Sequence, residues 1–265
     1  MRRSLRLCFH AYVPKGAVIN TNEPLASPYL ATTVFRETEA AAARSDTEKE
    51  KTGFFFLPRL NYPTNSGIPA LISKRQFDLQ YNVFHRDAVE TLNRHTLGTL
   101  LEGHNLEAVI RKTSFDATQA VTHTAAAEHF NYCFFYRSIR PWGTAVPAQL
   151  REAFQMQYSR TGSVDAMDEV KRLMTTVILS HQERSGWVYL VWTGKMFDVV
   201  EFQHGACPVA SDLIPLLGIN LHESAYRLDY GLSGLEQYVE NYFKTCNWRL
   251  AERYYLLATG RAQAE

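Results

Sequence analysis

A chain of 265 residues that is 46% hydrophobic and 12% aromatic can bury one large core or two modest ones, which excludes global disorder. Its 28 basic and 27 acidic residues give a formal charge of +1, which excludes a broadly basic nucleic-acid binder. No apolar run approaches the roughly 18 to 20 residues that a membrane-spanning helix needs, and no membrane association is expected. Cys8, Cys133, Cys207 and Cys246 contain no CxxC pair, so they read as reduced, buried thiols rather than a disulfide framework or a zinc site.

Positions 1 to 22 hold Arg2, Arg3, Arg6 and Lys15 and no acid; the first carboxylate is Glu23. That composition fits a mitochondrial transit segment and places the protein in the mitochondrial matrix. Removing residues 1–15 takes four positive charges from +1 and leaves −3, so phosphate contact by the body rests on a few local cations. The charged stretch Glu37 to Lys51 has no apolar face and reads as a solvated helix or linker. The folded body begins at Phe54, Phe55 and Phe56.

From Ser73 to about Leu101 the residues Phe77, Tyr81, Phe84, Ala88 and Leu92 recur every three or four positions, one face of a long helix. A shorter helix follows at Leu106 to Lys112. A second long one runs from about Ala117 to Ile139, with Ala125, His129, Tyr132 and Tyr136 on one stripe. Pro141 and Pro147 end it, and helical pattern returns at Pro147 to Tyr158 and Val164 to Gln182.

The period then changes. Trp187 to Trp192 and Met196 to Phe202 read as strands joined by a hairpin at Thr193, Gly194 and Lys195. Asp212 to Ile219 is a third strand, with Pro215 favouring an edge or a bulge. Helices at about His222 to Tyr230 and Gly234 to Leu257 close the chain. The fold class is α+β: an extension at 1–53, a helical hairpin domain at 54–142, and an α+β domain at 143–265 with a small antiparallel sheet.

No phosphate-binding loop, dinucleotide fingerprint, nucleophile elbow or HExxH occurs. Among nine histidines none pairs with another at i, i+4. His123, His129 and His222 are each read as packed core residues before they are read as ligands.

The stretch Ala126-Ala127-Glu128-His129-Phe130-Asn131-Tyr132-Cys133-Phe134-Phe135-Tyr136 resembles the second long helix of iron and manganese superoxide dismutases. Ser185-Gly186-Trp187-Val188-Tyr189-Leu190-Val191 resembles a strand of that family. Pro215-Leu216-Leu217, followed by Asn220 to Tyr226, resembles its Pro-Leu-Leu and Asp-x-Trp-Glu-His-Ala-Tyr signatures. Leu57 to Tyr62 and the helix from Tyr238 to Trp248 extend the resemblance from about Phe54 to Tyr255.

The resemblance implies a two-domain dismutase fold, and it also marks what has changed. The family's three histidines and one aspartate fall on Gln80, Tyr132, Ser224 and Asn220. The gate histidine and tyrosine fall on Phe84 and Ala88, the shell tryptophans on Tyr136, Tyr189 and His222, and the active-site glutamine on Glu128. The expectation is a dismutase-like pseudoenzyme without metal or other cofactor, and without a small-molecule substrate. Its four altered ligand positions would serve as a hydrogen-bonded core plug.

The same resemblance implies a structural protein of the small subunit of the mitochondrial ribosome, paired with a second superoxide dismutase-like subunit and touching other mitochondrial ribosomal proteins. Glu223, Arg227 and Phe84 stand where the family builds its dimer interface. Glu223 and Arg227, at i, i+4, can equally pair with each other. Arg137, Arg140, Lys171 and Arg172 are the candidate contacts for limited ribosomal RNA, against the alternative of a solvated basic face.

Overall fold

The computed structural model describes residues 55–158, 165–180 and 185–261. The basic start, the stretch from Glu37 to Lys51 and Phe54 lie outside the described residues.

Ser73 starts the first helix. Its backbone is extended, and its side-chain oxygen accepts a hydrogen bond from the Gln76 N–H at 3.2 Å, satisfying a donor that the first turn leaves open. The helix runs as α1 (Lys74–Asp78), a π-helical segment (Leu79–His85) and α2 (Arg86–Thr96). It ends at Thr96, short of the expected Leu101.

The π-helical segment corrects the expected apolar face. Its i→i+5 bonding widens the turn, so Gln80 and His85, five apart, both point inward and are fully buried. Phe84, expected on the buried face, is turned outward and 38% exposed.

Asn105 caps α3 (Leu106–Thr113) by accepting from the Ala108 N–H at 2.8 Å. A 3-10 turn at Ala117–Gln119 leads into α4 (Ala120–Ser138). On α4 the expected stripe of Ala125, His129, Tyr132 and Tyr136 is buried, and so are most positions between them. The helix is enclosed because it packs on α2, α3, the third strand and the last helix at once. Beyond it lie α5 (Ala148–Tyr158) and α6 (Ala166–Ser180).

Three antiparallel strands follow: β1 (Gly186–Trp192), β2 (Phe197–Gln203) and β3 (Ile214–Asn220), in spatial order β2-β1-β3. Thr193 closes the β1–β2 hairpin by donating its N–H to the Met196 carbonyl at 3.0 Å. Pro215 lies on an edge strand, where the β1–β3 register slips between Leu190 and Val191, so both consequences expected of that proline occur. Gly218 makes room for the Tyr189 ring; a Cβ there would sit 2.6 Å from Tyr189 Cε1.

The expected helix over His222 to Tyr230 is a 3-10 turn (Glu223–Ala225) and a short α7 (Arg227–Tyr230). The expected helix over Gly234 to Leu257 is split into α8 (Leu235–Phe243) and α9 (Trp248–Ala258). The split has partners waiting for it. Arg140 donates to the Thr245 carbonyl at 2.9 Å and Asn247 to the Ser138 carbonyl at 2.8 Å, so the chain after α4 takes up the freed backbone groups. The core lies between α4 and the sheet, with Trp187 of β1 packed edge-on against Tyr132 at 5.3 Å and Phe135 at 6.1 Å.

Candidate functional site

A solvent-open cavity of about 550 Å³ lies between the two long helices and the segment after β3. Glu128, Tyr132, His222 and Ser224 form its polar wall, and Phe84 and Ala88 lie on its apolar side. Glu128 comes from α4, one turn before Tyr132, so both carboxylate and phenol face the same opening. His222 Nε2 stands 3.3 Å from Glu128 Oε1, and its Nδ1 is 3.4 Å from the Ser185 hydroxyl.

Gln80, Tyr132, Asn220 and Ser224, where the resemblance implies ligands, lie where the first helix, α4, β3 and the 3-10 turn after it meet. Gln80 donates to the Ala225 carbonyl at 2.5 Å. Asn220 Oδ1 accepts from the His222 N–H at 2.9 Å. The Ser224 carbonyl accepts from Gln76 Nε2 at 2.7 Å. The expected core plug is only partly satisfied: Gln80 Oε1 and Asn220 Nδ2 are buried without a hydrogen-bond partner. Each such atom costs about 1–3 kcal/mol.

These donors do not fit iron or manganese. Two amides and a hydroxyl are neutral, and burial pushes the Tyr132 phenol well above its ordinary pKa, so it keeps its proton. No imidazole and no ionised oxygen stands at the four positions, whereas a redox-active ion of this class is held by several such donors. Tyr189 donates its hydroxyl to Asn131 Oδ1 at 2.7 Å. Asn131 in turn donates to the Ala206 carbonyl at 3.0 Å.

Residues 148–254 match the family model of the iron/manganese superoxide dismutases, C-terminal domain. That stretch of the chain is similar to the C-terminal domain of the iron/manganese superoxide dismutases. It is 32% identical over 161 residues to the chloroplastic iron superoxide dismutase 2 of Oryza sativa subsp. japonica, a match spanning 60% of this chain and 61% of the relative. It is 29% identical over 199 residues to the iron superoxide dismutase of Bordetella pertussis, covering 74% of this chain and 96% of that one. The iron superoxide dismutase of Entamoeba histolytica matches at 26% over 198 residues, 75% and 97% of the two chains.

These relatives correct one expectation. The altered ligands alone imply that the chain is no enzyme; the proteins it matches are named as superoxide dismutases, an enzyme family. The altered donor set is a statement about four positions and not about activity as a whole.

The remaining candidate residues sit on the surface or half-buried. Arg227 and Glu223 pair with each other at 3.1 Å, both substantially exposed. Arg172 grips Glu169 through two nitrogens at 2.8 and 2.6 Å, so its charge is locally compensated. Lys171 and Arg172 share a groove with Glu236 and Glu240. Arg140, just past α4, is exposed, and Arg137 is half-buried.

Sequence reasoning missed one cluster. His129 and Cys133 lie at i, i+4 on α4, and the π-helical segment delivers His85 against both. The signal was the His-x3-Cys spacing of His129 and Cys133, which a search restricted to histidine pairs passes over.

Proposed function

We propose that this chain is a divergent superoxide dismutase-family protein that has kept the family's cavity and relined it. The observation that carries this reading is the cavity wall itself, where Glu128, Tyr132, His222 and Ser224 converge although the four ligand positions offer neutral donors. The cavity is open to solvent, and Glu128 and His222 stand 3.3 Å apart on its wall. No redox step runs through iron or manganese at Gln80, Tyr132, Asn220 and Ser224, because the donors there do not suit either ion.

The relatives favour the activity they are named for, a divergent superoxide dismutase. Superoxide consumption by the purified full-length protein, measured beside its iron and manganese content, tests that directly. Consumption above the buffer rate with a bound redox metal supports it. Consumption at the buffer rate, in protein free of both metals, sinks it.

A second reading is favoured by the donor chemistry and by the acid-free, arginine-bearing start. In it the chain is a small-subunit component of the mitochondrial ribosome in the matrix, paired with a second dismutase-fold subunit. Other ribosomal proteins would supply most contacts, and Arg137, Arg140, Lys171 and Arg172 at most a limited RNA contact. A density gradient of gently lysed mitochondria, run at low and high salt, tests it. Co-migration with the small ribosomal subunit at both supports this reading, and migration as a free monomer or dimer overturns it.

A further inference from the structure

We propose that His85, His129 and Cys133 form a buried binding site for one thiophilic d10 cation, Zn²⁺ or Cu⁺, set inside the helical hairpin and separate from the family's four ligand positions. The three ligand atoms, His85 Nε2, His129 Nδ1 and Cys133 Sγ, all lie within 4.8 Å of one another. Among the described residues they form a complete triangle: Nε2 to Nδ1 is 2.8 Å, Sγ to Nδ1 3.6 Å and Sγ to Nε2 3.9 Å.

The triangle can be compared with a metal's own geometry. With metal–nitrogen bonds of about 2.0–2.1 Å, a metal–sulfur bond of about 2.3 Å and tetrahedral angles, nitrogens sit about 3.3 Å apart and nitrogen and sulfur about 3.6 Å apart. The Sγ–Nδ1 edge already has that length. The nitrogen edge needs to open, and the Sγ–Nε2 edge to close, by a few tenths of an ångström, within reach of small side-chain rotations.

The scaffold favours such a site. His129 and Cys133 are one turn apart on α4, and His85 ends the π-helical segment facing them, so two packed helices hold all three. All three side chains are buried. The Tyr132 ring stacks on His85 at 4.9 Å, and Phe55 meets His129 edge-on at 6.0 Å. Burial keeps both imidazoles neutral, holding His85 well below its ordinary pKa and His129 down to about 4, the protonation state a ligand needs. A thiolate with two imidazoles in an apolar shell selects zinc or monovalent copper over harder ions. Binding replaces the Cys133 thiol proton with the metal–sulfur bond, and that proton is released to solvent.

The site goes beyond the functional readings above and does not depend on either. The test uses the full-length protein, stripped of metal and reduced. Zn²⁺ is titrated with proton release followed, Cu⁺ is titrated anaerobically against a chelator, and Co²⁺ serves as a spectroscopic stand-in for zinc. The expected result is one equivalent of zinc or copper bound, with a thiolate-to-metal charge-transfer band for Co²⁺. Cys133→Ala and His129→Val are expected to weaken the apparent affinity more than about tenfold, whereas Cys207→Ala and Cys246→Ala leave it unchanged. Wild-type protein that takes up neither ion, or a Co²⁺ spectrum without a thiolate band, overturns the proposal. Because the wild-type arms need no substitution, a variant that fails to fold does not protect it.

Discussion

Tyr132 and Ser224 line the cavity, while Gln80 and Asn220 are fully buried. Gln80, Tyr132, Asn220 and Ser224 stand where the resemblance implies the family's ligands, and none is an imidazole or a carboxylate. If donor chemistry alone excludes iron and manganese, restoring the donors restores the site. Gln80→His, Tyr132→His, Asn220→Asp and Ser224→His, made together, are expected to raise bound iron or manganese toward one per chain when the protein is expressed with either metal. Elemental analysis of the purified variant checks this; no gain would show that the surroundings, and not the four donors, prevent binding. The family resemblance singles out these positions in the sequence. The buried Gln80 Oε1 and Asn220 Nδ2 without partners are not legible there, because the orientation of an amide depends on neighbours from three other elements.

At the level of elements, the first helix and the turn after β3 act as one clasp. Gln76 donates to the Ser224 carbonyl and accepts from the Leu228 N–H at 3.0 Å, while Ser73 gives both its N–H and its hydroxyl to Asp229 at 2.6 Å. These bonds join residues some 150 positions apart in sequence and set one side of the cavity. Gln76→Ala is expected to destabilise the fold by about 0.5–1.5 kcal/mol, since it removes two part-buried hydrogen bonds. Urea unfolding measures that cost, and faster proteolytic cutting between residues 222 and 231 would locate it. Helix existence was readable from apolar spacing. The π-helical widening was not, because a stripe of Phe77, Tyr81, Phe84, Ala88 and Leu92 assumes an unbroken 3.6-residue turn. One extra residue in the turn exchanged Phe84 for His85 on the inner face.

Across the whole molecule, β1 and α4 share the core, and Trp187 is the largest side chain at their junction. Trp187→Ala is expected to cost about 3–5 kcal/mol, read from thermal or denaturant unfolding. A second consequence concerns alkaline pH. Burial pushes the Cys207 thiol up to about 12 and holds Tyr136, Tyr189, Tyr238 and Tyr242 well above the ordinary phenol value. The unfolded chain therefore loses these protons at about pH 8.5 to 10 while the folded chain keeps them. Their contribution is fully present at neutral pH and falls as pH rises, by about 1.4 kcal/mol per pH unit for each group in its window. Urea midpoints followed from neutrality to about pH 11 should drop progressively. A flat profile would mean that these phenols and the thiol are not held protonated by the fold.

The sequence by itself determined the order of helices and strands, a third strand in which Pro215 favours an edge or a bulge, and the family resemblance. Each is a local pattern or a spacing along the chain, and such patterns survive without knowledge of distant neighbours. Only the tertiary structure decided how α4 is enclosed on nearly every side, where the long C-terminal helix breaks, and that His85 meets His129 and Cys133. Those outcomes depend on which surfaces become neighbours and which backbone groups find partners across the fold, and neither quantity is written in the spacing of residues along one helix.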